Sequence, residues 1–369
     1  MMAQTPKPPL KIAFIRLSAM GDIIHSASLL PLLHEHLSSH FQAKITWFVD
    51  LQFAEILKDC PFIDSLISLP LKASLKQKNL PALLSLYRQL KSLEFDIVID
   101  LQGLLKSALV GKILKTKQFW GFDSQSIREP LASIFYTHKI KIPYQEHILL
   151  RNATLAFGAL NLPIPTLEML LSPKIFLGLS KNPLPFTLSQ ETKTPKILCV
   201  LETSKPNKTY PIEHFLTLAA LLKPHNITPY FLTHTNTPQE KGNFIPLNHL
   251  NLEEVKTLLS QMDLVIGGDT GITHLAWALK RPSITLFGAT PSQRFHLKTN
   301  QNLYLSANKK TNYQKDDFSI ATILPNAIYE LIQTLLKLPE QKTLQENLQE
   351  NLQTTPQEKS QTISQENLQ

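Results

Sequence analysis

Short apolar runs, each followed by a polar loop and then by an amphipathic stretch, recur along this chain in two separate series. In the first, residues 11–17 read as a buried strand. A polar loop over 18–22 follows, and then a helical pattern through Ile24, Leu29, Leu33 and Leu37. Strands at 45–49, 65–69 and 97–101 and a helix over 80–93 continue the alternation. The second series opens at Lys196, with strands at 197–201, 228–233, 264–266 and 283–287 and helices at 212–222, 252–261 and 272–279. Apolar spacing changes from continuous runs to a helical period and back, and that grammar predicts parallel sheets with helices on their faces.

Between the series, residues 161–195 are rich in proline, serine, threonine and lysine, the composition of a connection rather than of a core. At 369 residues the chain exceeds one typical core. The expected organisation is an N-terminal extension (1–10), a first Rossmann-like lobe (11–165), a linker (166–195), a second Rossmann-like lobe (196–325) and a closing helix (326–338). A tail (339–369) follows, in which Gln-Glu-Asn-Leu recurs at 345, 349 and 365. Such a low-complexity tail is expected to stay outside the core.

Charge narrows the class of partner. The net charge is +8, and the tail carries five acids against two lysines, so the remainder stands near +11. That excess favours anionic partners: phosphorylated substrates, an anionic membrane surface or nucleic acid. The longest apolar stretch, over 148–160, is interrupted by Arg151 and Asn152 and falls short of a membrane span. A polar, proline-containing start without a signal-peptide core places the chain in the cytoplasm as an expectation. Cys60 and Cys199, far apart and without metal-ligand spacing, read as buried thiols.

Three loops carry candidate chemistry. After the strand at 264–266 comes Gly267-Gly268-Asp269-Thr270-Gly271, and then a helix opening at Ile272 with His274 in its first turn. Strand, glycine loop and helix start form an anion site, because unpaired N–H groups and the positive dipole end face the ligand. The alternative is a tight turn with an ordinary cap and a packed histidine. Beside it, after the strand at 197–201, the loop Glu202-Thr203-Ser204-Lys205-Pro206-Asn207-Lys208 offers hydroxyls and an ammonium at the carboxyl end of a sheet, where ligands of such folds sit. In the first series Gly21-Asp22 opens a helix. Asp22 there is either an N-cap or a carboxylate aimed into the cleft, able to take a proton from an attacking hydroxyl. Ser18 shapes the same loop. Asp100-Leu101-Gln102-Gly103 ends a further strand, Lys106 lies on the next helix, and Arg128-Glu129-Pro130 precedes an apolar helix over 131–136. Lys72, Lys76, Lys78, Arg88 and Lys91 add a basic region suited to an acidic acceptor.

Four ordered segments resemble a known family: Ser18-Ala19-Met20-Gly21-Asp22-Ile23-Ile24-His25, Asp100-Leu101-Gln102-Gly103-Leu104-Leu105-Lys106-Ser107, Arg128-Glu129-Pro130-Leu131-Ala132-Ser133-Ile134-Phe135-Tyr136 and Asp269-Thr270-Gly271-Ile272-Thr273-His274. They are similar to the bacterial lipopolysaccharide heptosyltransferases of glycosyltransferase family 9, and the Arg-Glu-Pro-Leu-Ala-Ser stretch points to the heptosyltransferase I branch. The resemblance spans 11 to about 338 and implies an α/β GT-B fold, with two Rossmann-like domains facing across a cleft. It further implies an inverting transfer of heptose from ADP-heptose to a Kdo sugar of Kdo-lipid A, by a cytoplasmic monomer in peripheral contact with the inner leaflet of the inner membrane, with no nucleic-acid partner.

The site roles follow from the same resemblance. Asp22 would be the general base. Thr203, Ser204, Lys208, Asp269, Thr270, Gly271, Ile272 and His274 would hold the donor, with Leu250 near its adenine. Ser18, Gly21, Lys72, Gln102, Lys106 and Arg128 would serve the acceptor. The family has an acid for the donor ribose after the strand at 228–233, and in the loop His234-Thr235-Asn236-Thr237-Pro238-Gln239-Glu240 only Glu240 is available. Ser204 stands where the family has a second threonine. No Asp-x-Asp pair follows a strand of the second series, so helix dipole and lysine, rather than a metal or other cofactor, are expected to stabilise the leaving group. His34 and His36 on a helix do not share a face, which argues against a metal cluster there. Two alternatives remain: a transferase such as heptosyltransferase II with another acceptor, and a two-lobed binding protein, which would need no Asp22. A dinucleotide oxidoreductase is disfavoured, because no Gly-x-Gly-x-x-Gly follows a strand.

Overall fold

The computed structural model describes residues 9–38, 42–179, 183–188, 194–234, 242–307 and 314–339. Glu240, most of the 1–10 extension and the tail beyond 339 lie outside them. Each lobe is built on a six-stranded sheet whose pairings are all parallel.

The first sheet comprises β1 (Leu10–Ile15), β2 (Ala43–Asp50), β3 (Ser65–Leu69), β4 (Ile97–Asp100), β5 (Gln118–Phe122) and β6 (His138–Ile140), ordered β3-β2-β1-β4-β5-β6. The second comprises β7 (Ile197–Val200), β8 (Tyr230–Thr233), β9 (Ile245–Asn248), β10 (Leu264–Gly268), β11 (Ser283–Phe287) and β12 (Asn302–Ser306), ordered β12-β11-β10-β7-β8-β9. Counted from each lobe's first strand, both orders are 3-2-1-4-5-6, the doubly wound arrangement. The order reverses between β1 and β4 and between β7 and β10, and the crevice outside the carboxyl ends there is where such sheets take ligands.

Central strands are covered on both faces, so they read as unbroken apolar runs: β4, β7 and β10 are buried throughout. Four strands were not anticipated, and three of them (β6, β9, β12) are sheet edges. Edge strands are half-solvated. β6 is a short, largely exposed His-Lys-Ile, and β9 contains Pro246, which an edge tolerates. The expected helix over 131–136 is a 3-10 segment, Pro130–Phe135, with Leu131 and Ile134 facing outward.

The two lobes share a core. One apolar cluster joins Ile23, Ile24 and Ala27 of the first lobe to Leu275, Ala276 and Trp277 of the second. The 166–195 stretch contributes to it. Thr166 caps the helix Leu167–Leu171, Phe176 is fully buried 6.1 Å from the Trp277 ring, and Trp277 Nε1 donates to the Leu171 carbonyl at 2.9 Å. Lys256 Nζ, on the helix Leu252–Ser260, reaches across to the carbonyls of Glu55 and Ile56 at 3.3 and 3.5 Å. A second cluster belongs to the second lobe alone. There Ile328 and Ile332 of the helix Pro325–Leu336 pack with Phe215 and Leu218 of the helix Ile212–Leu222. Cys60 and Cys199 are buried free thiols. Among the described residues, no helix is long and apolar enough to cross a membrane.

Candidate active site at two facing helix termini

The loop after β1 leads into the helix Met20–Ala27, and the loop after β10 into the helix Gly271–Ala278. Both leave their sheets at the switch points, and their first turns meet. A Cβ on Gly21 would stand 2.8 Å from His274 Cδ2, and one on Gly271 would stand 2.4 Å from Met20 Cγ. Gly268 is as tightly faced, since its Cβ would fall 2.2 Å from the Lys208 carbonyl oxygen. Their open sides are filled by the protein, drawing the Pro206–Lys208 turn against β10 and one helix terminus against the other.

A charged chain runs through this contact. Lys208 Nζ lies 2.5 Å from Asp269 Oδ2, His274 Nε2 3.0 Å from Asp269 Oδ1, and His25 Nε2 3.2 Å from His274 Nδ1. Burial opposes charge on Asp269, but Lys208 and His274 outweigh it and hold the carboxyl well below the usual carboxylate range. An ionised Asp269 can only accept, so His274 Nε2–H donates to it. In the neutral ring, Nδ1 then accepts from His25. Burial, reinforced by His274, keeps His25 well below the ordinary imidazole value. Both His274 nitrogens are therefore engaged, the residue is 4% exposed, and it holds Asp269.

The N-cap Thr270 makes no side-chain cap bond, and its own N–H points to Thr273 Oγ1 at 3.4 Å. Asp269 does not cap the helix either, because Lys208 and His274 take its oxygens. Thr203 Oγ1 donates to the Lys205 carbonyl at 2.7 Å and shapes the neighbouring loop, and Ser204 is exposed at its crest. Ile272 and Leu250 are 8% and 7% exposed and belong to the shared core.

On the facing lobe, Asp22 is paired with a residue that sequence reasoning missed. Arg16 Nη2 lies 3.0 Å from Asp22 Oδ1, while Arg16 Nη1 donates to the Leu101 carbonyl. The only available signal was a lone cation at the end of a buried strand. Gln102 Oε1 accepts from the N–H groups of Leu17 and Ser18 at 2.7 and 3.2 Å, and Lys106 Nζ donates to Ser18 Oγ at 3.1 Å. Ser18, Gly21, Asp22, Gln102 and Lys106 thus form one constellation.

Asp100, fully buried, accepts from Ser107 Oγ and Tyr136 OH, both at 2.8 Å, and from the N–H groups of Gln102 and Gly103. Burial pushes its carboxyl up, against these hydrogen bonds. Glu129 Oε2 accepts from Leu105 N at 2.8 Å, which ties the Arg128 loop to the helix Leu105–Ile113. Arg128 itself is exposed at that rim. Lys72 is linked to the loop after β1 through Asp50, whose Oδ2 accepts from Lys72 N at 3.2 Å and whose N–H donates to the Leu17 carbonyl at 3.1 Å; the Lys72 Nζ donates to Gln52 Oε1 at 3.1 Å, beside a depression of about 290 Å³ lined also by Asp50 and Lys76. His34 and His36 lie edge-on against Phe62 and Phe157, and among the described residues no three acids, histidines or cysteines group as a metal site would need.

The geometry sets one carboxylate, held by an arginine, on the first lobe opposite a lysine and a helix terminus without a side-chain cap on the second. Comparison with known proteins gives this pairing a family. Lipopolysaccharide heptosyltransferase 1 of Campylobacter coli is 37% identical over 346 residues, covering 88% of this chain and 99% of the relative. Its Escherichia coli K12 namesake is 28% identical over 294 residues, 76% of this chain and 88% of the relative. In fold, the chain is similar to E. coli heptosyltransferase WaaC with ADP, at a TM-score of 0.69 and 24% identity over 88% of this chain and 99% of the other. It is also similar to WaaC with ADP-2-deoxy-2-fluoro heptose, at a TM-score of 0.67, with the same identity and coverage. The two sheets have the GT-B arrangement of these enzymes. Residues 83–324 match the profile of glycosyltransferase family 9 (heptosyltransferase), and this glycosyltransferase belongs to that family.

Proposed function

We propose that the protein transfers a heptose from ADP-heptose to the Kdo of Kdo-lipid A, with inversion at the sugar, in the assembly of the lipopolysaccharide inner core. The observation that carries the proposal is the apposition of Asp22, at the start of one helix, to the uncapped N-terminus of Gly271–Ala278 with Lys208 beside it. The helix terminus and Lys208 suit a diphosphate, and a carboxylate across the cleft suits a hydroxyl acceptor. The relatives' names and the ADP-bound WaaC structures support the same donor.

In this reading Asp22, positioned by Arg16, takes the proton of the attacking Kdo hydroxyl. As the new glycosidic bond forms, the bond from the anomeric carbon to the β-phosphate oxygen breaks and ADP leaves from the opposite face of the sugar. Its charge passes to Lys208 and the first-turn N–H groups without help from a metal ion. Lys208 exchanges Asp269 for the diphosphate, while Asp269 stays held by His274. Gln102, Lys106 and Arg128 orient the acidic acceptor.

Incubation with ADP-heptose and Kdo-lipid A, followed by mass spectrometry, is expected to give a product heavier by one heptose. An acceptor already carrying the first heptose is expected to remain unmodified, and the reverse preference would move the chain to heptosyltransferase II. Asp22→Ala is expected to keep ADP binding and lose roughly 10²–10⁴ in turnover, the range for acid–base catalysis. Near-normal turnover by that variant would remove Asp22 from the chemistry.

A further inference from the structure

Exposed large apolar side chains are not spread evenly over this protein. Of fifteen among the described residues, nine fall between Leu51 and Ile134, and only Phe318 and Leu324 belong to the second lobe. Most of the nine sit on four elements that pack side by side: the helix Leu71–Lys76, the helix Leu80–Ser92, the helix Leu105–Ile113 and the 3-10 segment Pro130–Phe135.

On Leu80–Ser92 the stripe follows from helical spacing. Leu80, Leu84 and Tyr87, with Lys91 over the Tyr87 ring, fall within about 60° of arc at 100° per residue. Leu86 and Leu90, which bury this helix, lie on a different side. Leu105 and Leu109 continue the surface at i and i+4, and Leu131 (62% exposed) and Ile134 (71% exposed) extend it beyond the Glu129–Leu105 contact. Buried apolar stripes hold helices to a core, whereas this one is exposed and has no partner among the described residues.

Cations predominate around it, with the exposed Glu94 and the half-buried Glu129 at its borders. Residues 65–93 contain five lysines and arginines and no acid, and residues 101–115 contain three and no acid. Lys76, Lys78, Arg88, Lys91 and Lys112 are exposed among the apolar side chains. Apolar groups interspersed with an excess of cations match the interface of an anionic bilayer, where side chains enter the acyl boundary and cations meet headgroups. The face also borders the reaction site, since Lys106, next to Leu105, bonds Ser18 in the Asp22 loop.

We propose that this face of the first lobe docks on an anionic phospholipid surface, with Leu80, Leu84, Leu131 and Ile134 entering the interface, so that an acceptor anchored in the bilayer reaches Asp22 along the Leu105–Arg128 rim. The purpose of docking rests on the proposed lipid-borne acceptor. The docking itself does not, and is tested without donor or acceptor.

The full chain is sedimented with phosphatidylglycerol–phosphatidylcholine vesicles and with phosphatidylcholine vesicles. Expected is partition onto the anionic vesicles alone, weakening as salt rises. Leu80→Ser/Leu84→Ser/Ile134→Ser is expected to reduce that partition by at least about tenfold. Lys78→Gln/Arg88→Gln/Lys91→Gln should reduce it at low salt by about fivefold per cation. Both variants should keep the wild-type melting temperature, and the serine variant should keep the wild-type rate on a water-soluble, deacylated acceptor. Absence of wild-type binding, equal binding by the variants, or a wild-type dimer that the serine variant dissociates would each overturn the proposal. Loss of transfer activity with vesicle binding intact would count only against the proposed reaction.

Discussion

Gly271→Ala tests whether the two helix termini are as tightly apposed as the structure has them. The new Cβ would meet Met20 Cγ at 2.4 Å, Sδ at 2.6 Å and Cβ at 2.8 Å. Comfortable carbon contacts need about 3.5–4.0 Å, so something must move by about 1 Å. The Met20 chain end can swing away, but its Cβ is anchored to the helix Met20–Ala27, and relief therefore requires that helix to shift. Overpacking of this kind costs about 1–3 kcal/mol. Gly271 has helical backbone, where alanine is intrinsically better by up to about 1 kcal/mol, leaving a net loss of about 1–2 kcal/mol and a melting temperature lower by a few degrees. A 1 Å displacement of a catalytic group can cost about 10²-fold in rate, so transfer at saturating ADP-heptose should fall more than stability does. The control is the sign of the effect. In a Met20→Gly background all three contacting atoms, Cβ included, are gone, and Gly271→Ala should raise the melting temperature. Scanning calorimetry on the four proteins of this cycle decides the matter. A Gly271→Ala protein that melts at or above wild type, or a loss undiminished without the Met20 side chain, would refute the close apposition.

Three further substitutions probe the rest of the site. Lys208→Ala removes the ammonium paired with Asp269 and should weaken ADP binding in calorimetry by about 10–100-fold, the worth of a charge-assisted hydrogen bond; unchanged affinity would end its diphosphate role. Tyr136→Phe withdraws one donor from the fully buried Asp100 and should cost about 1–3 kcal/mol in a melting experiment, and a variant as stable as wild type would show that Asp100 does not depend on it. Burial holds His147 at a pKa of about 4, below the ordinary 6.5, while its Nε2 contacts the His296 carbonyl at 2.9 Å. Between those pH values the unfolded chain binds the extra proton. Stability is therefore complete above pH 6.5 and falls as pH drops toward 4, by up to about 1.4 kcal/mol per pH unit. His147→Asn should flatten part of that dependence in unfolding curves between pH 7 and 5, with an unaltered slope counting against the assignment.

What could be read from the sequence was set by local physics. Strands β1, β4, β7, β10 and β11 lie in sheet interiors, and a strand covered on both faces must be apolar along its length, so its residues announce it. The loops at their carboxyl ends were legible for the same reason: glycine, aspartate and hydroxyl residues interrupt those runs at Gly21-Asp22 and at Gly267 to Gly271. Edge strands β6, β9 and β12 gave no comparable signal, because half-solvated positions accept histidine, lysine, proline and asparagine.

Partnership was decided only in three dimensions. His25 and His274 stand 249 positions apart in sequence and 3.2 Å apart in space, and nothing local to either marks the other. Arg16 next to Asp22 and Lys208 next to Asp269 likewise depend on where two loops converge. The glycines show the division most sharply. Sequence shows only that Gly21, Gly268 and Gly271 leave free the space of a missing Cβ. What fills the space is His274, the Lys208 carbonyl and Met20, set by the packing of one lobe's helix terminus and turn against the other's.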